Sequence, residues 1–262
     1  MAQLRAEASW QIVGAPVNTG HPSTDFARLF GINYAPFVER DRMHLLRSEL
    51  SQSMEDCRTG HHEEYKDLLA RMIQCGFPHF RQQVADTACS CLARFDPLVV
   101  GLAYEHLTDA AKAHIEEFQV FRDDFDELKP LYVDAFELAS RGLAYAGAIN
   151  NLAVRGDSSQ WPDGKTRSLQ AVLDMTAHQR EFIAGDLGAA ALLYAGINRN
   201  TRNDIGHRSV HYDFVTGCLV YDRWHGENFI LFLDDYLGAV RATFYLTWLT
   251  AAASADTDML GL

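Results

Sequence analysis

The chain has 262 residues, 48% hydrophobic and 22% charged, with a formal net charge of -12. This composition suits a soluble globular protein with a sizeable core, folded as one large domain or two small ones. The acidic balance excludes a broad basic surface for non-specific duplex binding but leaves room for a small, locally basic cleft.

Five cysteines at irregular spacing, Cys57, Cys75, Cys89, Cys91 and Cys218, read as reduced thiols, and therefore as a cytoplasmic protein. The first residues carry no apolar run of the kind that makes a secretory signal. The longest apolar region, residues 229–253, is interrupted by Asp234, Asp235 and Arg241, which predicts a core helix and no membrane span.

Residues 1–22 show no clear period and read as an arm or loop, with a short strand over 9–14. Ser23 or Thr24 is placed to cap a short helix over 25–30. Residues 36–60 open on Pro36 and close on Gly60, the order a helix favours. Residues 61–76 repeat the pattern, with Tyr65, Leu68, Leu69, Met72 and Ile73 on one stripe and Gly76 as the stop. A further helix is expected over 79–96. Residues 96–106 fit either a strand or a buried helix and mark a weak domain boundary. Thr108 then caps a predicted helix over 109–121.

Residues 130–156 predict a long buried helix, apolar nearly all round, with Pro130 at its start and Gly156 at its end. Residues 157–165, DSSQWPDGK, are the clearest loop in the chain. One or two more helices are expected over 166–198. The period changes only at 209–222, SVHYDFVTGCLVYD, where alternation and Thr216-Gly217 predict a β-hairpin. Residues 225–252 close the chain as a helix. The expectation is a mainly α protein: a helical bundle over 107–262 with one β-hairpin near the C-terminus, preceded by an N-terminal helical extension over 1–106.

Chemistry-bearing residues concentrate just before the hairpin. Between 199 and 208 three arginines, Arg199, Arg202 and Arg208, face only Asp204, alongside Asn203 and His207, with His211 following. An Arg followed four to six residues later by a His has little specificity alone, because chance supplies such pairs. Asn directly after the Arg, helices before and a hairpin immediately after sharpen the pattern. Without further support, Arg202 is read as pairing with Asp204 or capping a carbonyl, and His207 as ending a helix. Cysteines and histidines at 57–91 include zinc-ligand residue types, but the spacing is not that of a zinc finger, and buried free thiols are the better reading. His178, on the helix before the motif, is within reach of the cleft, although a lone helical His more often lies at the surface.

Arg202-Asn203-Asp204-Ile205-Gly206-His207, followed by HYDFVTGCLVYD, resembles the RNxxGH signature and trailing hairpin of a subgroup of the HEPN superfamily. The resemblance is tightest over 202–221 and extends by helix pattern over 107–254. It implies a metal-independent RNA endonuclease with a toxin or anti-phage role. Arg202 and His207 would be its catalytic pair and Asn203 the polar residue after the Arg. Arg199, Arg208 and His211 would support substrate binding.

The residue types suit that reaction. An imidazole can act as general acid or base near neutrality, and a guanidinium stays charged and bonds two phosphoryl oxygens at once. One Arg and one His make a thin site, and the resemblance implies a homodimer whose two motifs line one cleft. It implies no metal and no cofactor, an RNA substrate, and an antitoxin or regulatory partner. The other reading is a non-catalytic HEPN module that senses a nucleotide or dimerises with a partner.

Overall fold

The computed structural model describes residues 40–94, 122–188, 199–207, 209–213, 215, 218–221 and 224–262. The expected elements over 9–14, 25–30, 96–106 and 109–121, the Thr216-Gly217 turn and Arg208 lie outside them. The described chain is mainly helical: α1 (Arg40–Gly60), α2 (His62–Gln74), α3 (Phe77–Ala93), α4 (Arg122–Arg155), α5 (Leu169–Leu173), α6 (Ala177–Ala184) and α7 (Arg199–Gly206) are followed by β1 (Val210–Asp213), β2 (Cys218–Tyr221), β3 (Trp224–Asn228) and α8 (Phe229–Met259).

The spine is α4, 34 residues and so roughly 50 Å long. It packs against α8, α1, α3, α2, α5, α6 and α7. Most of its central section is buried, with Ala135, Ala139, Ala144, Tyr145 and Ala148 fully enclosed. Two glycines set how closely its neighbours approach. A Cβ at Gly142 would lie 2.2 Å from Leu246 Cδ2 on α8. A Cβ at Gly147 would lie 2.6 Å from Ile183 Cγ2 and 2.9 Å from Trp161 Cζ3. Neither position has room for a side chain.

Helices α1–α3 fall before residue 107 and α4–α8 after it, yet both groups build one hydrophobic core. Tyr65, Leu68, Leu69 and Met72 of α2 are buried as the stripe predicts, while Ile73 is half-buried. A polar staple ties α1 and α2 to α8: the buried Asp256 of α8 accepts from Tyr65 Oη at 2.6 Å and from Arg58 Nε at 3.1 Å. Thr243 and Thr247, buried on α8, donate to their own helix at Ala239 O and Phe244 O, which lets hydroxyls sit inside an otherwise apolar helix.

Two boundaries differ from expectation. Helix α4 runs through Pro130, which sits inside the helix and not at its start. The ring costs about 3 kcal/mol in a helix interior. The turns before it offset that cost by burying Phe125 and Leu128, Phe125 packing edge-on against Phe232 at 5.1 Å. The C-terminal signal holds: Gly156 follows α4 with φ of 69°, a left-handed cap. The second difference lies at 225–228. Residues read as the start of the closing helix form β3 instead, antiparallel to β2. Gly226 is a poor helix former, and the exposed edge of β2 supplies backbone partners. The hairpin expected over 209–222 forms, with Val210 paired to Tyr221 through Asp213 to Cys218.

No helix among the described residues is long and apolar enough to cross a membrane. Cys57, Cys75, Cys89 and Cys91 are free thiols, Cys57 and Cys91 buried. Burial pushes both of these up to about 12, Cys57 with a smaller push from Asp56, so neither supplies thiolate near neutrality. Among these four, iodoacetamide at pH 8 should label exposed Cys89 first and leave Cys57 and Cys91 untouched until denaturant is added, read by peptide mass mapping. Labelling of Cys91 in the native protein would contradict the packing of α3.

Candidate active site

Helix α7 carries the Arg-Asn-Asp-Ile-Gly run and has almost no apolar stripe, so polar contacts dock it. Thr201, buried, donates through Oγ1 to Asp235 Oδ2 of α8 at 2.6 Å. Asp204, also buried, accepts from Ser209: the Ser209 N–H meets Asp204 O at 2.9 Å and its hydroxyl meets the same oxygen at 3.1 Å. These bonds satisfy one carbonyl at the helix C-terminus and turn the chain into β1. Thr201 and Asp204 thus face inward, and Asn203, Gly206 and His207 lie on the more accessible side.

Arg202 reaches from α7 to the spine. Its Nη2 donates to Glu137 Oε1 of α4, and its guanidinium lies 5.9 Å from the Phe136 ring centroid. Its Nη1 makes a 3.3 Å bond to Asn203 Oδ1. Its Nε is buried and makes no hydrogen bond. The same Nη1 lies 3.8 Å from where a Gly206 Cβ would stand, so the cation flanks the last residue before His207. His207 follows the helix, its backbone N–H donating to Asn203 O at 2.8 Å and its side chain exposed. The expected pairing of Arg202 with Asp204 or with a carbonyl is not what forms. Asp204 is turned inward toward Ser209, and Glu137, one helix away, takes the cation.

Arg199, one turn before Arg202, contacts His178 Nδ1 of α6 and donates to Glu181 Oε1 at 3.2 Å. His178 Nδ1 also lies 2.9 Å from Glu181 Oε2. Nδ1 donates to Glu181 when it carries a proton and accepts from Arg199 when it does not. Thr176 and Gln179 form a capping box that fixes the start of α6 and so places His178 in its first turn. Arg199 is therefore engaged with an exposed acidic neighbour rather than standing alone. His211 lies exposed on β1 opposite Val220, in the hairpin and not on α7, as the alternation predicts.

Sequence reasoning missed Glu137 and Phe136. A signal was present: Asp134, Glu137 and Arg141 recur at helical spacing within an apolar segment, and such a polar row on a buried helix needs a partner. The partner's identity was not readable, because it lies 65 residues away in the chain.

No family model, no curated protein and no solved structure matches this chain.

Proposed function

We propose that this chain is a metal-independent RNA endonuclease of HEPN type, with Arg202 and His207 as its catalytic pair. The observation that carries the reading is the end of α7. A half-buried guanidinium with donor capacity left on Nη1 flanks Gly206, and an exposed imidazole follows at the next residue. Arg202 would hold the scissile phosphate and Asn203 would orient Nη1. His207 would move the proton. The ribose 2′-oxygen bonds to phosphorus as the bond to the 5′-oxygen breaks. One proton leaves the 2′-hydroxyl and one arrives on the 5′-oxygen, giving a 2′,3′-cyclic phosphate and a 5′-hydroxyl end. Two proton transfers ask for two imidazoles, which a homodimer with a shared cleft supplies. Arg199, Arg208 and His211 are assigned to flanking substrate contacts. The cytoplasmic toxin or anti-phage role, with an antitoxin or regulatory partner, rests on the resemblance of 202–221 alone.

The test is incubation of the purified chain with structured and unstructured RNA in excess EDTA. Cleavage leaving 5′-hydroxyl ends is expected. A protein inert on every RNA would end the catalytic reading, and a strict monomer at micromolar concentration would end the shared cleft.

One observation favours the second reading, a non-catalytic module that senses a nucleotide or dimerises: Arg202 already has a carboxylate partner. Glu137→Gln separates the two. If Glu137 positions a catalytic Arg202, the variant should cut RNA roughly tenfold more slowly, a loss of about 1.4 kcal/mol at the transition state. Its melting midpoint should stay within about 4 °C of wild type, since a pair this exposed contributes about 1 kcal/mol or less. A shifted midpoint with unchanged cleavage would make the pair purely structural.

A further inference from the structure

Two buried polar atoms near the contact of α7 with α4 have no hydrogen-bond partner among the described residues: Arg202 Nε and Ser140 Oγ of α4. Ser140 is 6% exposed. It stands one turn beyond Phe136 and Glu137, the two α4 residues that Arg202 touches, and on the same face of the helix. Buried polar groups without partners are rare in folded proteins, and a donor and an acceptor left open beside one contact need a reason.

Ser140 does not use its hydroxyl on its own helix. Buried Thr243, Thr247 and Thr250 of α8 each donate to a carbonyl three or four residues back, the usual resort of a hydroxyl inside a helix. Ser140 makes no such bond. The guanidinium is also oriented. Its Nε–H and one Nη2 N–H point along a single edge of the plane. Nη2 of that edge donates to Glu137, and Nε is buried beside it. Nη1 lies beyond that edge, beside Gly206, with Asn203 Oδ1 at 3.3 Å. The face of α4 thus meets Nη2 with a carboxylate and, one turn on, carries a hydroxyl able to accept from Nε.

From these two open atoms on one helix face, we infer that Ser140 is a positioning residue for Arg202: when a phosphate takes Nη1, the guanidinium settles its other edge on α4, with Nη2 on Glu137 and Nε donating to Ser140 Oγ. The second contact removes the swivel that a single contact at Nη2 allows, and Nη1 stays aimed at the phosphate as charge builds there. The inference deepens the RNA-cleavage reading and rests on its assignment of a phosphate to Arg202.

The test uses the full chain carrying isotope-labelled arginine. The Arg202 Nε–H signal, identified by its loss in Arg202→Lys, is followed by NMR as inorganic phosphate is added. In wild type, phosphate should move the signal downfield and slow its exchange with water, and in Ser140→Ala both changes should be lost. In RNA cleavage, Ser140→Ala should lower kcat roughly tenfold and leave KM within about twofold, because the bond serves aim and not capture. It should melt at or above the wild-type midpoint, because alanine removes a buried hydroxyl that has no partner before phosphate binds. An Arg202 signal indifferent to phosphate, the same response in Ser140→Ala, or a kcat unchanged by Ser140→Ala would each overturn the proposal. A wild type that cuts no RNA, with a phosphate response that still depends on Ser140, would end the RNA-cleavage reading and leave the role of Ser140 standing.

Discussion

His207→Ala should lose RNA cleavage by a factor of about 10²–10⁴, the range for removing a general acid or base, and melt within about 2 °C of wild type. The two halves of that result have separate causes. His207 is exposed beyond the end of α7, and its backbone bond to Asn203 O survives the substitution, so the fold has little to lose. Arg202→Ala should lose as much activity but a little more stability, about 1 kcal/mol, because Glu137 loses its partner and Phe136 its cationic cover. The contrast is informative. Equal destabilisation by both variants with residual cleavage would mark them as structural. Mixing wild type with excess His207→Ala adds a test of the shared cleft: a mixed dimer holds one imidazole where the two proton transfers ask for two, so cleavage should fall below that of the same amount of wild type alone.

Trp161→Ala should cost about 3–5 kcal/mol of unfolding free energy, among the largest effects of any single change outside the spine. In a chain of this size that lowers the melting midpoint on the order of 10 °C. Trp161 is 1% exposed although it sits in the loop between α4 and α5. Its ring lies over Gly147 of α4 and meets Phe182 of α6 edge-on, at 6.3 Å and 76°. Its indole N–H donates to Arg167 O at 3.0 Å, so burial leaves no orphan donor. The tight loop around it, with Gly164 N–H donating to Trp161 O at 2.9 Å, aims the ring inward. Truncation empties a space between three elements that none of them can close alone. A cost below about 1 kcal/mol in urea unfolding would show that the ring contributes little to the core.

That loop also shows where sequence reasoning stops. Its Pro, Gly and Asp residues announce a turn, and a turn forms, but turn chemistry is silent about which side chain goes inside. Local signals read well elsewhere. Gly60 and Gly156 end their helices, the α2 stripe is buried over four of its five positions, and the alternating segment forms the paired strands β1 and β2. Long-range contacts overrode local ones at two points. Phe125 and Leu128 carry α4 through Pro130, and pairing with β2 draws 225–228 out of the closing helix. The candidate site divides the same way. The proposed pair, Arg202 and His207, was picked out from the Asn after the Arg, the helices before and the hairpin after. Glu137, which holds the cation, was not, because a contact between two helices distant in sequence leaves no local pattern.

The measurement that bears most directly on Arg202 and His207 as an RNA-cleaving pair is the chemistry of the RNA ends made in excess EDTA. Wild type should yield fragments with 5′-hydroxyl and 2′,3′-cyclic phosphate ends, and neither Arg202→Ala nor His207→Ala should yield any. Fragments with 5′-phosphate ends, undiminished cleavage by His207→Ala, or no cleavage by wild type would contradict the assignment.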